Sequence, residues 1–354
     1  MDIRGRKKAM YSFMNDYSEG AHPRILDLLK EANYEQNIGY GQDVHSRISK
    51  EYIRKLIGKE DAEIHFIPGG TLTNLIVISS LLRPHQCVIS ADTGHINVHE
   101  TGAIEATGHK VIAVPSVEGK IYPEAIQEVL DSHSDEHMVK PKMVYISNST
   151  ELGTIYSKAD LTQIHNICRE KNLILYLDGA RIGSALMSKY NDLTLKDIAD
   201  LVDIFYIGGT KNGALLGEAL IICNENLKED FRYLIKQRGA LMAKGFVMGI
   251  QFEALFQDDL FFRLAKHANR MAEKIANALK EYGYSFYAPP CTNQLFPIIP
   301  NNKIEYLARK YNFYIHKRIG EDHSVIRLVT SWATTQESVD SLIQDFAKIN
   351  LINN

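Results

Sequence analysis

The sequence has few cysteines, and their positions exclude the sites that this residue usually builds. Only four occur in 354 residues, at Cys87, Cys168, Cys223 and Cys291, and no two of them form a Cys-x-x-Cys pair. Zinc ribbons and redox dithiols need closely spaced cysteines, whereas disulfide-stapled domains are short and rich in them. We therefore expect reduced, buried cysteines and neither a zinc site nor a disulfide framework.

Long apolar runs and an excess of positive charge are also missing. A membrane-spanning helix needs about 18 or more consecutive apolar residues, and the sequence contains no such run. The basic segment at residues 1–10 lacks the apolar stretch of a secretory signal. The formal net charge of -3 gives no basic field for nucleic acid or an anionic membrane. We expect a cytoplasmic protein whose partners are small molecules and copies of itself.

The sequence does contain a regular alternation of short apolar runs and helical patterns between residues 60 and 224. The apolar runs lie at 62–67, 86–90, 110–115, 142–147, 173–177, 204–207 and 218–223. Strands that alternate with helical patterns are typical of βαβ units, in which helices cover the faces of a parallel sheet. The alternation therefore predicts an α/β fold with a mainly parallel sheet of seven strands.

After residue 246 the pattern changes to a long helical stretch at 258–282, a strand-rich region and a final helix. Thr334 and Glu337 have the spacing of a capping box, which predicts the start of that last helix. With 45% apolar residues, the chain is long enough to form two domains. We predict a large domain at 45–246 and a smaller α+β domain formed by 1–44 and 247–354.

Lys211 lies in a glycine-rich turn directly after the apolar run at 204–207. Such a turn can deliver the amine into a pocket, where desolvation lowers its pKa and prepares it to form a Schiff base. A lysine in a surface turn is the alternative interpretation of this short motif. Asp178 ends another apolar run, at the edge of a parallel sheet where ligands bind. A carboxylate and a lysine at this edge fit pyridoxal phosphate, although Asp178 alone is also compatible with a helix N-cap.

Three further groups follow predicted strands. Gly70 and Thr71 stand where a strand passes into a helix, a place suited to a phosphate group, although an ordinary helix cap has the same composition. His95 is suited to stack on a planar ring and to transfer protons. A metal pair with His99 is disfavoured because no third ligand is evident. Glu151 is interpreted either as a general base or as a residue that holds a neighbouring loop.

Two arginines complete the set of candidates. Arg181 lies three residues beyond Asp178, and Arg327 lies inside the apolar run at 325–331. A guanidinium stays charged, so an arginine in an apolar strand needs an anion nearby. A bound carboxylate would supply that anion, and an internal salt bridge or exposure of the charged end at the surface is the alternative.

Taken together and in this order, these segments resemble the threonine aldolase branch of the fold-type-I pyridoxal phosphate enzymes, which is related to the β-eliminating lyases. The resemblance covers most of the chain. It rests on the segments 15–18 (Asn-Asp-Tyr-Ser), 40–43 (Tyr-Gly-Gln-Asp), 69–71 (Gly-Gly-Thr), 95–97 (His-Ile-Asn), 149–153 (Ser-Thr-Glu-Leu-Gly), 177–181 (Leu-Asp-Gly-Ala-Arg), 209–213 (Gly-Thr-Lys-Asn-Gly) and 327–330 (Arg-Leu-Val-Thr).

The resemblance implies a role for each candidate. Lys211 would form the Schiff base, Asp178 would pair with the pyridinium nitrogen and His95 would stack on the ring. The remaining contacts that it implies are Gly70 and Thr71 to the phosphate, Arg181 near cofactor and substrate, and Asn15, Arg181 and Arg327 to the substrate carboxylate. Better-known members carry serine where Asn15 stands.

The resemblance also implies that a neighbouring subunit completes the active site, in dimers that pair into a tetramer. Tyr40, a candidate contact to the substrate, and the segment 238–244 would cross that interface. Arg238 and Lys244 are both candidates for the cation that reaches the phosphate, because this segment replaces a glycine- and arginine-rich stretch of common members.

The activity implied by the resemblance is retro-aldol cleavage of threonine-like β-hydroxy-α-amino acids to glycine and an aldehyde. Glu151, His95 or a water molecule would take the proton of the β-hydroxyl group. Common members carry histidine where Glu151 stands, and phenylserine-type aldolases carry glutamate there. A β-eliminating lyase is the first alternative, and the length of the chain counts against it. A cofactor-free binding or scaffold protein is the second, and it would not need Lys211, Asp178 and His95.

Overall fold

A seven-stranded sheet forms the centre of the protein in a computed structural model that describes residues 10–351. The basic segment at residues 1–9, which entered the expectation about secretion, lies outside the described residues. The strands, numbered in chain order, are β1 (Tyr11–Ser12), β2 (Glu63–Ile67), β3 (Gln86–Ala91), β4 (Lys110–Val114), β5 (Lys140–Ser147), β6 (Ile174–Asp178), β7 (Ile204–Gly208), β8 (Glu218–Ile222), β9 (Gln294–Leu295), β10 (Ile298–Pro300), β11 (Tyr311–Asn312), β12 (Tyr314–Ile319) and β13 (His323–Val329).

Helices surround this sheet and build much of the carboxyl-terminal part. In chain order they are α1 (Pro23–Glu31), α2 (Val44–Ile57), α3 (Gly70–Leu81), α4 (His95–Val98), α5 (Pro123–Ser132), α6 (Lys158–Glu170), α7 (Ile182–Leu186), α8 (Leu195–Leu201), α9 (Phe231–Gln237), α10 (Phe246–Phe256), α11 (Leu260–Glu281), α12 (Asn301–Ala308) and α13 (Gln336–Leu351). No helix among the described residues combines the length and the apolar character that crossing a membrane requires.

The central sheet has the strand order β2-β8-β7-β6-β5-β3-β4. The five strands from β7 to β4 run parallel, whereas β8 is antiparallel to both of its neighbours. The prediction of seven strands is confirmed, and every strand end lies within about two residues of the predicted apolar run. The runs were recognisable because helices cover both faces, so that β6, β7 and β8 are buried at every position.

Alternate residues of each strand face two separate hydrophobic clusters. On one face Tyr176 and Tyr206 pack with residues of α3 and α9. On the other face Leu177 and Phe205 pack with α6, α8 and α10. Helix α10 belongs to this second cluster, where Phe252 stacks on Phe66 of β2 with ring centroids 4.9 Å apart. The proposed domain boundary near residue 246 stays a prediction.

The carboxyl-terminal part forms its own cluster around β13. Antiparallel strands β9, β10 and β12 pair with β13, and α11 and α13 pack on it through residues such as Met271, Leu328 and Phe346. The amino-terminal strand β1 joins this part by pairing with β11. This pairing places Tyr11 and Ser12 beside Tyr311 and Asn312. It also brings the segment after β1 close to the central sheet, where Asp16 contacts Arg181.

Two smaller expectations were wrong. The last helix does not begin with a capping box at Thr334 and Glu337, because Thr335 accepts the hydrogen bond from the Ser338 N–H at 3.2 Å. Thr334 instead accepts a bond from the Ser331 N–H at 2.8 Å and closes the preceding turn. Among the cysteines, Cys87 and Cys168 are buried as expected, but Cys223 and Cys291 are only half-buried.

Candidate active site

A cavity of about 300 Å³ opens at the carboxyl ends of the parallel strands. Seven of the predicted site residues line it, and these are Gly70, Thr71, His95, Glu151, Asp178, Arg181 and Lys211. They lie at or just after the carboxyl ends of five strands of the central sheet, β2, β3, β5, β6 and β7. The structure thus brings together the groups that the sequence placed at strand ends.

Asp178 is the last residue of β6, and its carboxylate is almost completely enclosed, with 4% of the residue exposed. The phenol groups of Tyr145 and Tyr206 each donate a hydrogen bond to it at 2.5 Å, and the Ala180 N–H donates one at 2.9 Å. Burial disfavours the charged carboxylate, but the charge of His95 and these donors outweigh burial and lower the pKa of Asp178. Since α7 begins only at Ile182, Asp178 is a fixed anion and not a helix N-cap.

Lys211 lies in the turn between β7 and β8 and faces the same cavity. Burial and the nearby guanidinium of Arg181 lower the pKa of its ammonium group, which the surrounding carboxylates only partly oppose. The Lys211 amine and the Asp178 carboxylate therefore share one cavity. If the two groups lined different cavities, they could not bind opposite sides of one ligand.

His95 belongs to a chain of buried hydrogen bonds that ends at Asp178. Its Nδ1 lies 2.7 Å from Oε1 of Glu100, and the side-chain amide of Asn74 donates to that same oxygen at 2.7 Å. Asn74 also donates to Asp178 at 3.2 Å and accepts a bond from the Tyr176 hydroxyl at 2.6 Å. The side chain of His95 is thereby held by Glu100. His99 caps the single turn of α4, where its N–H donates to the His95 carbonyl at 2.9 Å, and the two imidazole rings lie on the same side of the turn with centroids 5.6 Å apart.

Glu151 lies beside His95 at the wall of the cavity. Its Oε1 accepts hydrogen bonds from the Ser147 hydroxyl at 2.7 Å and from the His95 N–H at 3.0 Å. Burial raises the pKa of Glu151, and the charge of Asp178 adds to this effect. The hydroxyl of Ser149 also lines the cavity and is buried without a hydrogen-bond partner among the described residues. This side of the cavity combines a carboxyl group of raised pKa with a hydroxyl that has no hydrogen-bond partner among the described residues.

The two arginines have different partners. Arg181 forms two hydrogen bonds with Asp16, at 2.7 and 3.0 Å, and both residues of this ion pair are withdrawn from solvent. Arg327 instead donates to Oε1 of Gln294, at 2.6 and 3.2 Å, and forms no salt bridge with a carboxylate of residues 10–351. Burial, together with the charge of Arg181, lowers the pKa of Arg327 to about 10. Arg327 is thus a cation hydrogen-bonded to a neutral amide, and the charge of Asp16 only partly opposes the effect of burial on its pKa.

Five predicted residues do not line the cavity, namely Arg327 and four others. Asn15 accepts hydrogen bonds from the Tyr17 N–H and the Ser18 hydroxyl, which closes a local turn. Tyr40 is 42% exposed and is associated with α9, because the Arg232 guanidinium donates to its carbonyl at 2.9 Å. Arg238 and Lys244 are exposed at the surface. The structure of one chain does not bring the last three to Lys211, so their predicted roles depend on a second chain.

Several residues of the site were not predicted. They are Asp16, Asn74, Glu100, Tyr145, Tyr206, Glu218 and Gln294. The sequence did mark Glu218, because this charged residue begins an otherwise apolar run. Arg327 was recognised from a similar pattern. The two tyrosines gave no such signal, because aromatic residues are common in buried strands.

Comparison with known proteins adds an independent finding. Residues 18–301 match the Beta-eliminating lyase family. The low-specificity L-threonine aldolase of Pseudomonas aeruginosa is 34% identical to the chain over 340 residues, which cover 94% of this chain and 96% of that protein. The Escherichia coli K12 enzyme of the same name is 27% identical over 73% of this chain and 75% of that protein.

Solved structures agree with these relationships. A Leishmania major threonine aldolase superposes with a TM-score of 0.95 at 50% identity, covering 96% of this chain and 99% of the other. A Thermus thermophilus aspartate aminotransferase superposes with a TM-score of 0.74 at 13% identity, covering 98% of this chain and 94% of the other, and shows a shared fold alone.

Proposed function

Because the chain belongs to the Beta-eliminating lyase family and is related along nearly its whole length to threonine aldolases, we propose that it cleaves β-hydroxy-α-amino acids to glycine and an aldehyde, with pyridoxal phosphate as cofactor. The observation that carries this proposal is the shared cavity of Lys211 and Asp178. An amine of lowered pKa and a fixed carboxylate are the two groups that this cofactor requires of a protein.

The remaining features of the cavity fit the same cofactor. Gly69 caps α3 without a side chain, and the first turn of α3 contains no acidic residue, so backbone N–H groups are available for a phosphate. A Cβ atom at Gly70 would lie 3.3 Å from the hydroxyl oxygen of Tyr206, which shows how closely the backbone borders the cavity there. The proposed contacts are Gly70 and Thr71 to the phosphate, Asp178 to the ring nitrogen, His95 to the ring face and Lys211 to the aldehyde carbon.

When bound, pyridoxal phosphate withdraws electrons from the α-carbon of an amino acid. The protein has to select which bond at that carbon breaks. Arg327, as the cation without a carboxylate partner among residues 10–351, would bind the substrate carboxylate and thereby orient the bond between the α- and β-carbons. The ion pair between Arg181 and Asp16 makes Arg181 the less available of the two arginines.

Glu151 is the proposed acceptor for the proton of the β-hydroxyl group. Both of its hydrogen-bond donors use Oε1, which leaves Oε2 for a substrate. The raised pKa of Glu151 makes it a better proton acceptor than an ordinary carboxylate. The Nδ1 atom of His95 is already bonded to Glu100. The imidazole of His95 would therefore stack on the cofactor ring, while its backbone N–H orients Glu151.

The proposal also includes a cytoplasmic protein that forms a tetramer, in which neighbouring subunits share active sites. Tyr40, Arg238 and Lys244 are exposed and lie outside the cavity of their own chain. Large apolar side chains are exposed a few residues before these positions in the sequence, with Tyr34 at 93% and Tyr233 at 76%. Apolar exposure of this kind is typical of a surface that another chain covers.

The test is to incubate the cofactor-loaded protein with threonine, allo-threonine and phenylserine and to measure glycine. Glycine release from at least one of them is expected, and Lys211→Ala should abolish both the release and the visible absorbance of the bound cofactor. Lys158→Ala, which changes an exposed lysine on α6, is the matched control. Ammonia with 2-oxobutyrate from threonine, or with phenylpyruvate from phenylserine, in place of glycine would establish the β-eliminating alternative, and an unchanged Lys211→Ala variant would refute the assignment of the lysine.

A further inference from the structure

Glu218 is a charged residue in a strand that is otherwise apolar. It begins β8, pairs in register with Ile67 of β2 and Gly208 of β7, and is 4% exposed. Its side chain lines the cavity that contains Lys211. A buried carboxyl group at this position needs partners, because an unpaired polar group in the core is costly.

The partners of Glu218 belong to the turn that carries Lys211. Its Oε2 accepts a hydrogen bond from the Gly209 N–H at 3.0 Å, and its Oε1 accepts one from the Thr210 hydroxyl at 2.9 Å. The Thr210 oxygen in turn accepts a bond from the Gly217 N–H at 3.0 Å. The carboxyl group thus fixes the two residues that precede Lys211 and connects both ends of the turn.

No lysine, arginine or histidine of the described residues forms a salt bridge with Glu218. The titratable groups that face it are Lys211, Asp178 of β6, Tyr176 of β6 and Tyr206 of β7. Burial raises the pKa of Glu218 to about 8, an effect that the charge of Lys211 opposes and that of Asp178 increases. Burial acts on the ammonium of Lys211 in the opposite direction and lowers its pKa.

We propose that Glu218 is a positioning residue for Lys211, which fixes the lysine-bearing turn through Gly209 and Thr210 and controls the charge state of the Lys211 amine in the cavity that both residues line. A negative charge on Glu218 favours the ammonium form of Lys211, and protonation of Glu218 removes that effect. The inference deepens the proposed function, since only an uncharged Lys211 can attack the cofactor.

The test measures the proton on Lys211 directly, in the full-length protein freed of cofactor. Lys211 is labelled with trace acetic anhydride between pH 6 and 11, and the labelled peptide is quantified by mass spectrometry. In the wild type we expect a titration broader than that of a single proton. In Glu218→Gln we expect a single-proton curve with a lower midpoint, and a tenfold gain in labelling near pH 8 for each unit by which the pKa of Lys211 falls.

The control is Glu253→Gln, which removes a carboxylate that contacts His45 of α2 away from the cavity and should leave the titration of Lys211 unchanged. Identical curves for wild type and Glu218→Gln would overturn the inference, because a purely structural role does not move this titration. If Glu218→Gln fails to fold, the wild type decides by itself, since a simple single-proton curve excludes an effect of Glu218 on the charge of Lys211. The measurement uses neither cofactor nor substrate, so its failure is distinct from a failure of the proposed aldolase activity.

Discussion

Asp16 and Arg181 are 165 positions apart in the sequence and form a buried ion pair with two hydrogen bonds. The side-chain amide of Asn293 donates a third bond to Asp16, at 2.9 Å. Arg181 and the neighbouring Lys211 together lower the pKa of Asp16 in spite of its burial. The pair neutralises one guanidinium beside the cavity, whereas Arg327 has no such carboxylate partner among residues 10–351.

Removing the charge of Asp16 should destabilise the protein strongly. In Asp16→Asn the guanidinium of Arg181 stays buried without a counter-ion, which costs about 3–5 kcal/mol in the free energy of unfolding. Denaturant unfolding measures this quantity. The control is Glu273→Gln, which breaks an exposed pair with Lys189 and should cost less than about 1 kcal/mol. Equal costs for the two variants would show that Asp16 and Arg181 do not form the pair seen here.

Arg327→Gln should impair substrate binding more than stability. The variant loses a cation that has no carboxylate partner among residues 10–351, so we expect a small change in unfolding free energy. Loss of a charged contact to the substrate carboxylate costs about 2–3 kcal/mol, or roughly 30- to 150-fold in kcat/KM for threonine. Arg318→Gln changes an exposed arginine on the adjacent strand β12 and should retain wild-type kinetics. Equal effects of the two substitutions would contradict the role of Arg327.

Tyr206→Phe should have a pH-dependent effect on stability. The lost phenol donor stabilises the charged form of Asp178, so the substitution should cost about 1.5–3 kcal/mol at pH 7. Because the pKa of Asp178 is lowered in the folded state, this stabilisation is present above its unfolded pKa and is lost as the pH falls through the folded pKa. The difference between wild type and variant should therefore shrink in acid.

The control for this measurement is Tyr156→Phe. The hydroxyl of Tyr156 accepts a bond from the Ile121 N–H, a neutral partner, at 2.9 Å. Its removal should cost free energy of unfolding by an amount that does not vary with pH in the same range. A pH-independent cost for Tyr206→Phe would show that its phenol does not act on the charge of Asp178.

Glu218 should also affect how stability depends on pH. Its pKa is raised from 4.5 to about 8, so between these values the folded state binds a proton that the unfolded state has released. Stability therefore falls as the pH rises through this window, with a contribution approaching about 1.4 kcal/mol per pH unit. Calorimetric or denaturant unfolding between pH 5 and 7 should give a shallower decline for Glu218→Gln than for the wild type. Parallel curves would contradict a protonated Glu218.

The sequence by itself determined the sheet and the position of the chemistry along the chain. Strands such as β6 and β7 are buried on both faces, so their apolar runs are continuous and visible without a structure. Asp178 ends one of these runs and Lys211 follows another. Because the strands are parallel, both residues lie at the same edge of the sheet. The family was recognisable from the same residues, because the order of several short motifs is far more specific than any one of them.

Only the tertiary structure decided which charges are already paired. Asp16 neutralises Arg181, Glu100 holds His95 and Tyr206 holds Asp178, and these partners come from distant segments. Pairing depends on distances of a few ångströms and on exclusion of water, and neither is encoded in local spacing or composition. For the same reason the sequence marks Arg181 and Arg327 equally, whereas folding gives Arg181 a carboxylate partner and Arg327 a neutral amide.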